Sequence, residues 1–252
     1  MPRRMRISYG DVSLAGRVYS PSGRERDVLP AVVISHEFGL NMLSTARYAR
    51  RIVDLGYHVV LFDFAGSGSG RSRGRTSVDM SVLTEKDDLN AVLDAVRARP
   101  EVDADHVILG WCSQGGLVSA LVAAERPGDV AKLFLLYPAL SIPDDARRGT
   151  ILGVRIDPSD PPASFRALYV RLGRRYVRDA QSLEPWREMT PYVGPVLLCH
   201  GTADRIVDSR YSAEAASRYA QAELHLIPGA RHMFLRAGFA EAIGHLRRFL
   251  AV

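Results

Sequence analysis

From Ala31 to the C-terminus, short apolar runs alternate with longer segments whose apolar residues recur at helical spacing. The runs Ala31–Ser35, Tyr57–Phe62, Val107–Leu109, Lys132–Tyr137, Pro195–Cys199 and Leu224–Ile227 are short, rich in branched aliphatics and bounded by loop residues, which predicts buried strands. Between them, Ala46–Leu55 and Gly115–Ala124 read as helices, as does the stretch from the last strand through Leu250. In Ser81–Arg99 the residues Leu89, Val92, Leu93 and Val96 share one helical face. Alternation of this kind predicts an α/β fold with a mainly parallel sheet and helices on both faces. Ahead of it, Arg6–Tyr19 alternates with period two around a Gly10-Asp11 turn, so an antiparallel hairpin is expected there.

One segment breaks the rhythm. Residues 141–192 hold Pro143, Pro158, Pro161, Pro162, Pro185 and Pro191 together with many arginines. Its aromatics, Phe165, Tyr169, Tyr176 and Trp186, argue against disorder. The expected division is therefore a core of residues 1–140 and 193–252 and a cap insertion of residues 141–192. That cap should cover the carboxyl ends of the strands, where open α/β sheets bind ligands.

Composition narrows the function classes. The 252 residues are 47% hydrophobic and 24% charged, enough for one α/β domain with a large core. The net charge of +5 comes from arginines scattered along the chain, with no basic, aromatic-interleaved stripe for nucleic acid. The cap arginines (Arg147, Arg148, Arg166, Arg171, Arg174, Arg175, Arg178) are interspersed with acids and read as a solvated face. Only two cysteines occur, Cys112 and Cys199, which gives neither a disulfide framework nor metal-ligand spacing, so no metal or cofactor is expected. The basic N-terminus lacks the apolar stretch of a signal peptide, and no run is long enough to span a bilayer. The expectation is a cytoplasmic enzyme with a small-molecule ester substrate and no nucleic-acid or membrane partner, a homodimer being left open.

The chemistry centres on Val107-Ile108-Leu109-Gly110-Trp111-Cys112-Ser113-Gln114-Gly115-Gly116, a strand, a tight turn and a helix. A serine hydroxyl attacks well only when a sharp turn holds it beside a base, and such turns want small neighbours. Ser113-Gln114-Gly115-Gly116 supplies the helix side, but Trp111 stands where glycine is expected. Gly110 is displaced by one position, which leaves Cys112 as an alternative nucleophile. Asp204 follows the Pro195–Cys199 run and can orient a histidine, with Asp208 as a nearby competitor. His232 lies in the loop after the last predicted strand. The order Ser113, Asp204, His232 is that of a nucleophile, orienting acid and base on a doubly wound sheet. Two backbone N–H groups should hold the oxyanion, one from Gln114 and the other from Phe38 in His36-Glu37-Phe38-Gly39. Gly66-Ser67-Gly68-Ser69-Gly70 lacks dinucleotide-binding spacing, and Asp63 beside it reads as structural.

With these residues in view, the chain resembles the bacterial feruloyl/cinnamoyl esterases of the α/β-hydrolase superfamily. The likeness runs from Ala31 onward through Phe62-Asp63-Phe64-Ala65-Gly66-Ser67-Gly68, Ser113-Gln114-Gly115-Gly116, Leu168-Tyr169-Val170-Arg171, His200-Gly201-Thr202-Ala203-Asp204 and Pro228-Gly229-Ala230-Arg231-His232. It implies an α/β-hydrolase fold, ester hydrolysis through an acyl-enzyme on Ser113, and substrate contacts from Asp145 and Tyr169. Leu152 stands where that family has a glutamine. His36-Glu37-Phe38-Gly39-Leu40-Asn41 and Gly110-Trp111-Cys112 are similar instead to the dienelactone hydrolases, which implies a lactone hydrolase using Cys112 with Glu37 beside it. A third alternative is a non-hydrolytic acyltransferase, cyclase or ligand-binding member of the fold.

Overall fold

The computed structural model describes residues 1–251. The chain opens with β1 (Arg3–Tyr9) and β2 (Val12–Tyr19), an antiparallel pair joined by Gly10 at φ +47°. The alternation of units then begins: β3 (Leu29–Ser35), α1 (Ala46–Val53), β4 (His58–Phe62), α2 (Val82–Arg97), β5 (Val102–Cys112), α3 (Ser113–Glu125) and β6 (Lys132–Leu136). Here the chain leaves the sheet for α4 (Ile142–Arg147), the hairpins β7 (Thr150–Ile151) with β8 (Val154–Arg155) and β9 (Ser164–Ala167) with β10 (Val170–Gly173), then α5 (Arg174–Ser182) and α6 (Pro185–Glu188). It returns through β11 (Val196–Gly201), α7 (Arg210–Arg218), β12 (Ala222–Ile227) and α8 (Arg236–Leu250).

The sheet has eight strands in the order β1-β2-β4-β3-β5-β6-β11-β12, and only β2 runs against the others. Its two faces bury separate apolar clusters. One holds Leu89, Val92 and Val96 of α2 with Leu117 and Leu121 of α3, and the other holds Tyr48 and Ile52 of α1 with Leu246 and Leu250 of α8. The start of α2 is fixed by a capping box: the Ser81 hydroxyl accepts from the Thr84 N–H, and the Thr84 hydroxyl accepts from the Ser81 N–H.

Apolar periodicity locates the sheet strands and the long helices but misplaces some ends. β5 begins at Val102 rather than Val107, because the polar stretch Asp103–His106 carries no apolar signal while Leu29 still pairs with Val102. α7 was not expected. It is short and mostly polar, with Tyr211, Ser212 and Ala215 turned inward. Among the described residues no helix is long and apolar enough to cross a membrane.

Candidate active site

The elbow at the end of β5 is built from backbone strain and close approach. Ser113, the first residue of α3, has φ +52°, the left-handed region that a side-chain-bearing residue occupies at a cost of about 1–3 kcal/mol. The turn is held on both sides: the Ser113 N–H donates to the Tyr137 carbonyl (3.2 Å), and the Ala139 N–H donates to the Ser113 carbonyl (2.8 Å). Two positions after the serine, a Cβ on Gly115 would lie 2.6 Å from the carbonyl oxygens of both Ser35 and His36, so only glycine lets α3 start this near β3. Trp111 fits because its indole leaves the turn altogether. It is fully buried between the Tyr48 and Phe134 rings, at centroid distances of 4.2 and 5.4 Å. Gly110 makes the matching space, since a Cβ there would sit 2.8 Å from the Phe134 ring. The displaced glycine therefore serves the packing of a large aromatic cluster behind the elbow.

Loops after three strand ends converge. His232 Nε2 lies 3.0 Å from Ser113 Oγ, and its Nδ1 lies 2.7 Å from Asp204 Oδ2. The side chain of Asp204 is shut off from solvent, and its second oxygen accepts the N–H groups of Ile206 (2.8 Å) and Val207 (3.1 Å). His200 at the end of β11 gives Oδ2 another nitrogen neighbour at 3.2 Å and is itself held by Ser212 of α7 and the Val207 carbonyl. Burial alone would push the Asp204 carboxyl up, but His200, His232 and the turn N–H groups outweigh it and hold the acid well below the usual carboxylate range. Asp208 sits one turn on, exposed, beside Arg210. Sequence reasoning did not find His200 or the turn amides as supports, because neither stands out from an ordinary strand end.

Phe38 and Gln114 both line the space in front of Ser113. Gln114 is the second residue of α3, where a helix leaves its backbone N–H without an internal partner and its dipole favours negative charge. The loop bearing Phe38 is pinned from below by Asp63, which is buried and accepts the Met42 N–H (2.7 Å) while pairing with Arg71 (2.6 Å). Asp63 is thus structural, as its place at a strand end suggested. Glu37 is turned away from this space: Oε1 accepts from the Cys112 thiol (3.3 Å) and Oε2 from the Ser44 hydroxyl (3.0 Å). Cys112 is fully buried, and burial together with the neighbouring Glu37 carboxylate pushes its thiol well above the usual range.

The space in front of Ser113 is a cavity of about 350 Å³. Its walls are mainly apolar, with Ile142, Ile151 and Leu152 from the excursion between β6 and β11 and Val207 from the loop bearing Asp204. Leu152 is at φ +48° and Gly153 at φ +82°, the two tip residues of the β7–β8 hairpin. Asp145 of α4 also faces the cavity, its carboxylate held by Ser141 (2.8 Å) and Arg148 (2.6 Å). Tyr169 does not line it. The ring is exposed at the β9–β10 tip, and its hydroxyl donates to the Gly39 carbonyl (3.0 Å), strapping the hairpin to the loop of Phe38. Of the seven arginines singled out in residues 141–192, Arg147, Arg148, Arg174 and Arg175 pair with acids of the same segment.

A buried polar chain absent from the sequence reading runs beneath the cavity floor. The Tyr176 hydroxyl of α5 donates to Gln114 Oε1 (2.5 Å), and Gln114 Nε2 donates to Glu85 Oε2 of α2 (2.7 Å). Burial pushes the Glu85 carboxyl up to about 8, the Gln114 contact opposing this only in part. Below about 4.5 the acid is neutral in folded and unfolded chains alike. Between that value and 8 the unfolded chain releases the proton and the folded one keeps it, so stability falls as pH rises. Glu85→Gln should therefore match the wild type in melting temperature near pH 5 and exceed it by several degrees near pH 9. Parallel melting curves over that range would refute this account of Glu85.

Comparison with known proteins agrees with this architecture. The profile of the "Alpha/beta hydrolase family" matches residues 32–242. The chain belongs to the α/β-hydrolase family. Among solved structures, this α/β hydrolase is similar to Est1E from Butyrivibrio proteoclasticus with ferulic acid bound, at TM-score 0.90 and 26% identity over 98% of this chain and 97% of that one. Mouse (Mus musculus) monoglyceride lipase is 27% identical over 87% of the chain and 80% of the lipase. The Pseudomonas aeruginosa protein PA2218 is 31% identical over 122 residues, 47% of this chain, and that match spans only 32% of the relative's length.

Proposed function

We propose that this α/β hydrolase is a serine carboxylic-ester hydrolase that works through an acyl-enzyme on Ser113. The observation that carries the reading is the unbroken line Ser113 Oγ, His232 Nε2, His232 Nδ1, Asp204 Oδ2, with contacts of 3.0 and 2.7 Å, opening on an apolar cavity. His232 takes the Ser113 proton as the hydroxyl attacks the ester carbonyl, then delivers it to the leaving alcohol, and Asp204 stabilises the imidazolium between the steps. The backbone N–H groups of Phe38 and Gln114 receive the oxyanion. Water activated by His232 then frees the acid.

A lactone hydrolase attacking through Cys112 is disfavoured, because that thiol is buried behind the elbow and protonated against Glu37. The cavity suits an aromatic or medium-length acyl group. Est1E with ferulic acid and the lipase relative support an acyl ester as the substrate class. Asp145 is the polar group placed to meet a hydroxyl on such an acyl group, whereas Tyr169 acts through the loop of Phe38.

The test is intact-mass detection of an acyl-enzyme after brief mixing with a p-nitrophenyl ester, with the modified peptide mapped. Acylation of Ser113 followed by its return to free enzyme in water is expected. An acyl group on Cys112, or none on either residue during turnover, overturns the assignment. Acylation of Ser113 that persists until an acceptor alcohol is added would mark a transferase.

A further inference from the structure

The sheet ends in an edge strand, β12, covered by α8, and the two face each other with a matched set of donor groups. On β12, Glu223 and His225 are two residues apart, the spacing at which strand side chains share a face. On α8, Glu241 and His245 are four apart, the spacing at which helix side chains share a face. The His225 and His245 rings stack at a centroid distance of 3.4 Å with 29° between planes. His225 Nε2 contacts Glu223 Oε1, and His245 Nε2 lies 4.0 Å from Glu241 Oε1. One ligand atom each from Glu223, His225 and His245 can be chosen so that all lie within 4.8 Å of one another.

We propose that Glu223, His225 and His245, with Glu241 in reach, form a binding site for a divalent transition-metal ion of the zinc class. Zinc takes imidazole nitrogen at about 2.0–2.1 Å and carboxylate oxygen at about 2.0–2.2 Å, which sets tetrahedral ligand atoms roughly 3.4 Å apart. The half-exposed Glu223 carboxylate supplies most of the adjustment this needs, while His245 is the more enclosed ring, its side chain only 13% exposed. The ion enters between His225 Nε2 and Glu223 Oε1, which contact each other directly. Arg248 is the group that must yield: its guanidinium donates to His245 Nδ1 (2.8 Å), so ligation at Nε2 moves the ring proton to Nδ1 and releases the arginine. The site joins the two elements that bracket the Pro228–Leu235 loop, on which His232 sits.

The experiment is calorimetric titration of untagged, chelator-treated protein with zinc chloride, for the wild type and for the His225→Ala, His245→Ala and His232→Ala variants. Far-UV circular dichroism is recorded on each to verify folding. The expected result is one site with a dissociation constant of about 10 µM or tighter, weakened at least about tenfold by His225→Ala and by His245→Ala and unchanged by His232→Ala. The wild-type melting temperature should rise by several degrees with zinc. Absence of saturable binding up to about 1 mM overturns the site. Binding that survives either of the two ring variants, or that is lost in His232→Ala, places the ion elsewhere and overturns it equally.

Discussion

Ser113→Ala should lower kcat for a p-nitrophenyl ester by about five to six orders of magnitude, while Cys112→Ala costs less than about tenfold. The asymmetry follows from where the two side chains point. Ser113 is carried at φ +52° into the cavity, within 3.0 Å of His232. Cys112, one residue earlier at the end of β5, is fully buried and gives its hydrogen bond to Glu37. A thiol kept neutral there is a weak nucleophile, and no carbonyl carbon can approach it without dismantling the elbow. The alanine variant at Cys112 loses a small buried side chain and one hydrogen bond, a stability cost of about 1–2 kcal/mol that leaves the Ser113 geometry in place. Iodoacetamide should leave the wild type active. Full activity in Ser113→Ala, or loss of activity on alkylation of Cys112, would reverse the assignment.

Asp204→Asn should lower kcat by about four orders of magnitude and also reduce stability. The substitution keeps shape but turns an acceptor into a donor. Asp204 Oδ2 receives His232 Nδ1 and has His200 Nε2 at 3.2 Å, so an amide nitrogen there would face two N–H groups. His232 escapes only by moving its proton to Nε2, which leaves no lone pair for the Ser113 hydroxyl. His200 is fully buried and already donates to the Val207 carbonyl, so the new amide N–H facing its ring has no acceptor, which costs about 1–3 kcal/mol, or a fall of a few degrees in melting temperature. The expected signature is a collapse of kcat with KM little changed, accompanied by that fall. An unchanged melting temperature would mean that His200 does not depend on Asp204, and unchanged kcat would remove Asp204 from the mechanism.

How much of this was legible in the chain depends on whether a residue's role is local. Asp204 and His232 each follow a strand end directly, so the apolar run that marks the strand also places the side chain at the sheet's carboxyl edge. Ser113 was legible for the same reason, but Trp111 obscured it, because the space that accepts its indole is made by Tyr48 of α1 and Phe134 of β6. Glu37 is the converse case: its residue type stands out in the sequence, yet its direction is set by Cys112 and Ser44, which no spacing rule connects. The Glu85–Gln114–Tyr176 chain joins three elements far apart in sequence, and Glu85 alone looks like a solvent-facing position on α2. In the excursion between β6 and β11, proline and arginine announced irregularity but not two short hairpins, whose strands are too brief to show a period.

Under the proposed acyl-enzyme mechanism, the Tyr169–Gly39 strap gives acyl selectivity a kinetic address. An acyl group that spreads the β9–β10 hairpin would pull on the Gly39 carbonyl, one residue from the Phe38 backbone N–H proposed to receive the oxyanion. Misfit at the rim is therefore felt where charge develops during attack, rather than where the ground-state ester rests. Poor substrates of this enzyme should bind with ordinary KM and turn over slowly, so that discrimination among esters is written in kcat.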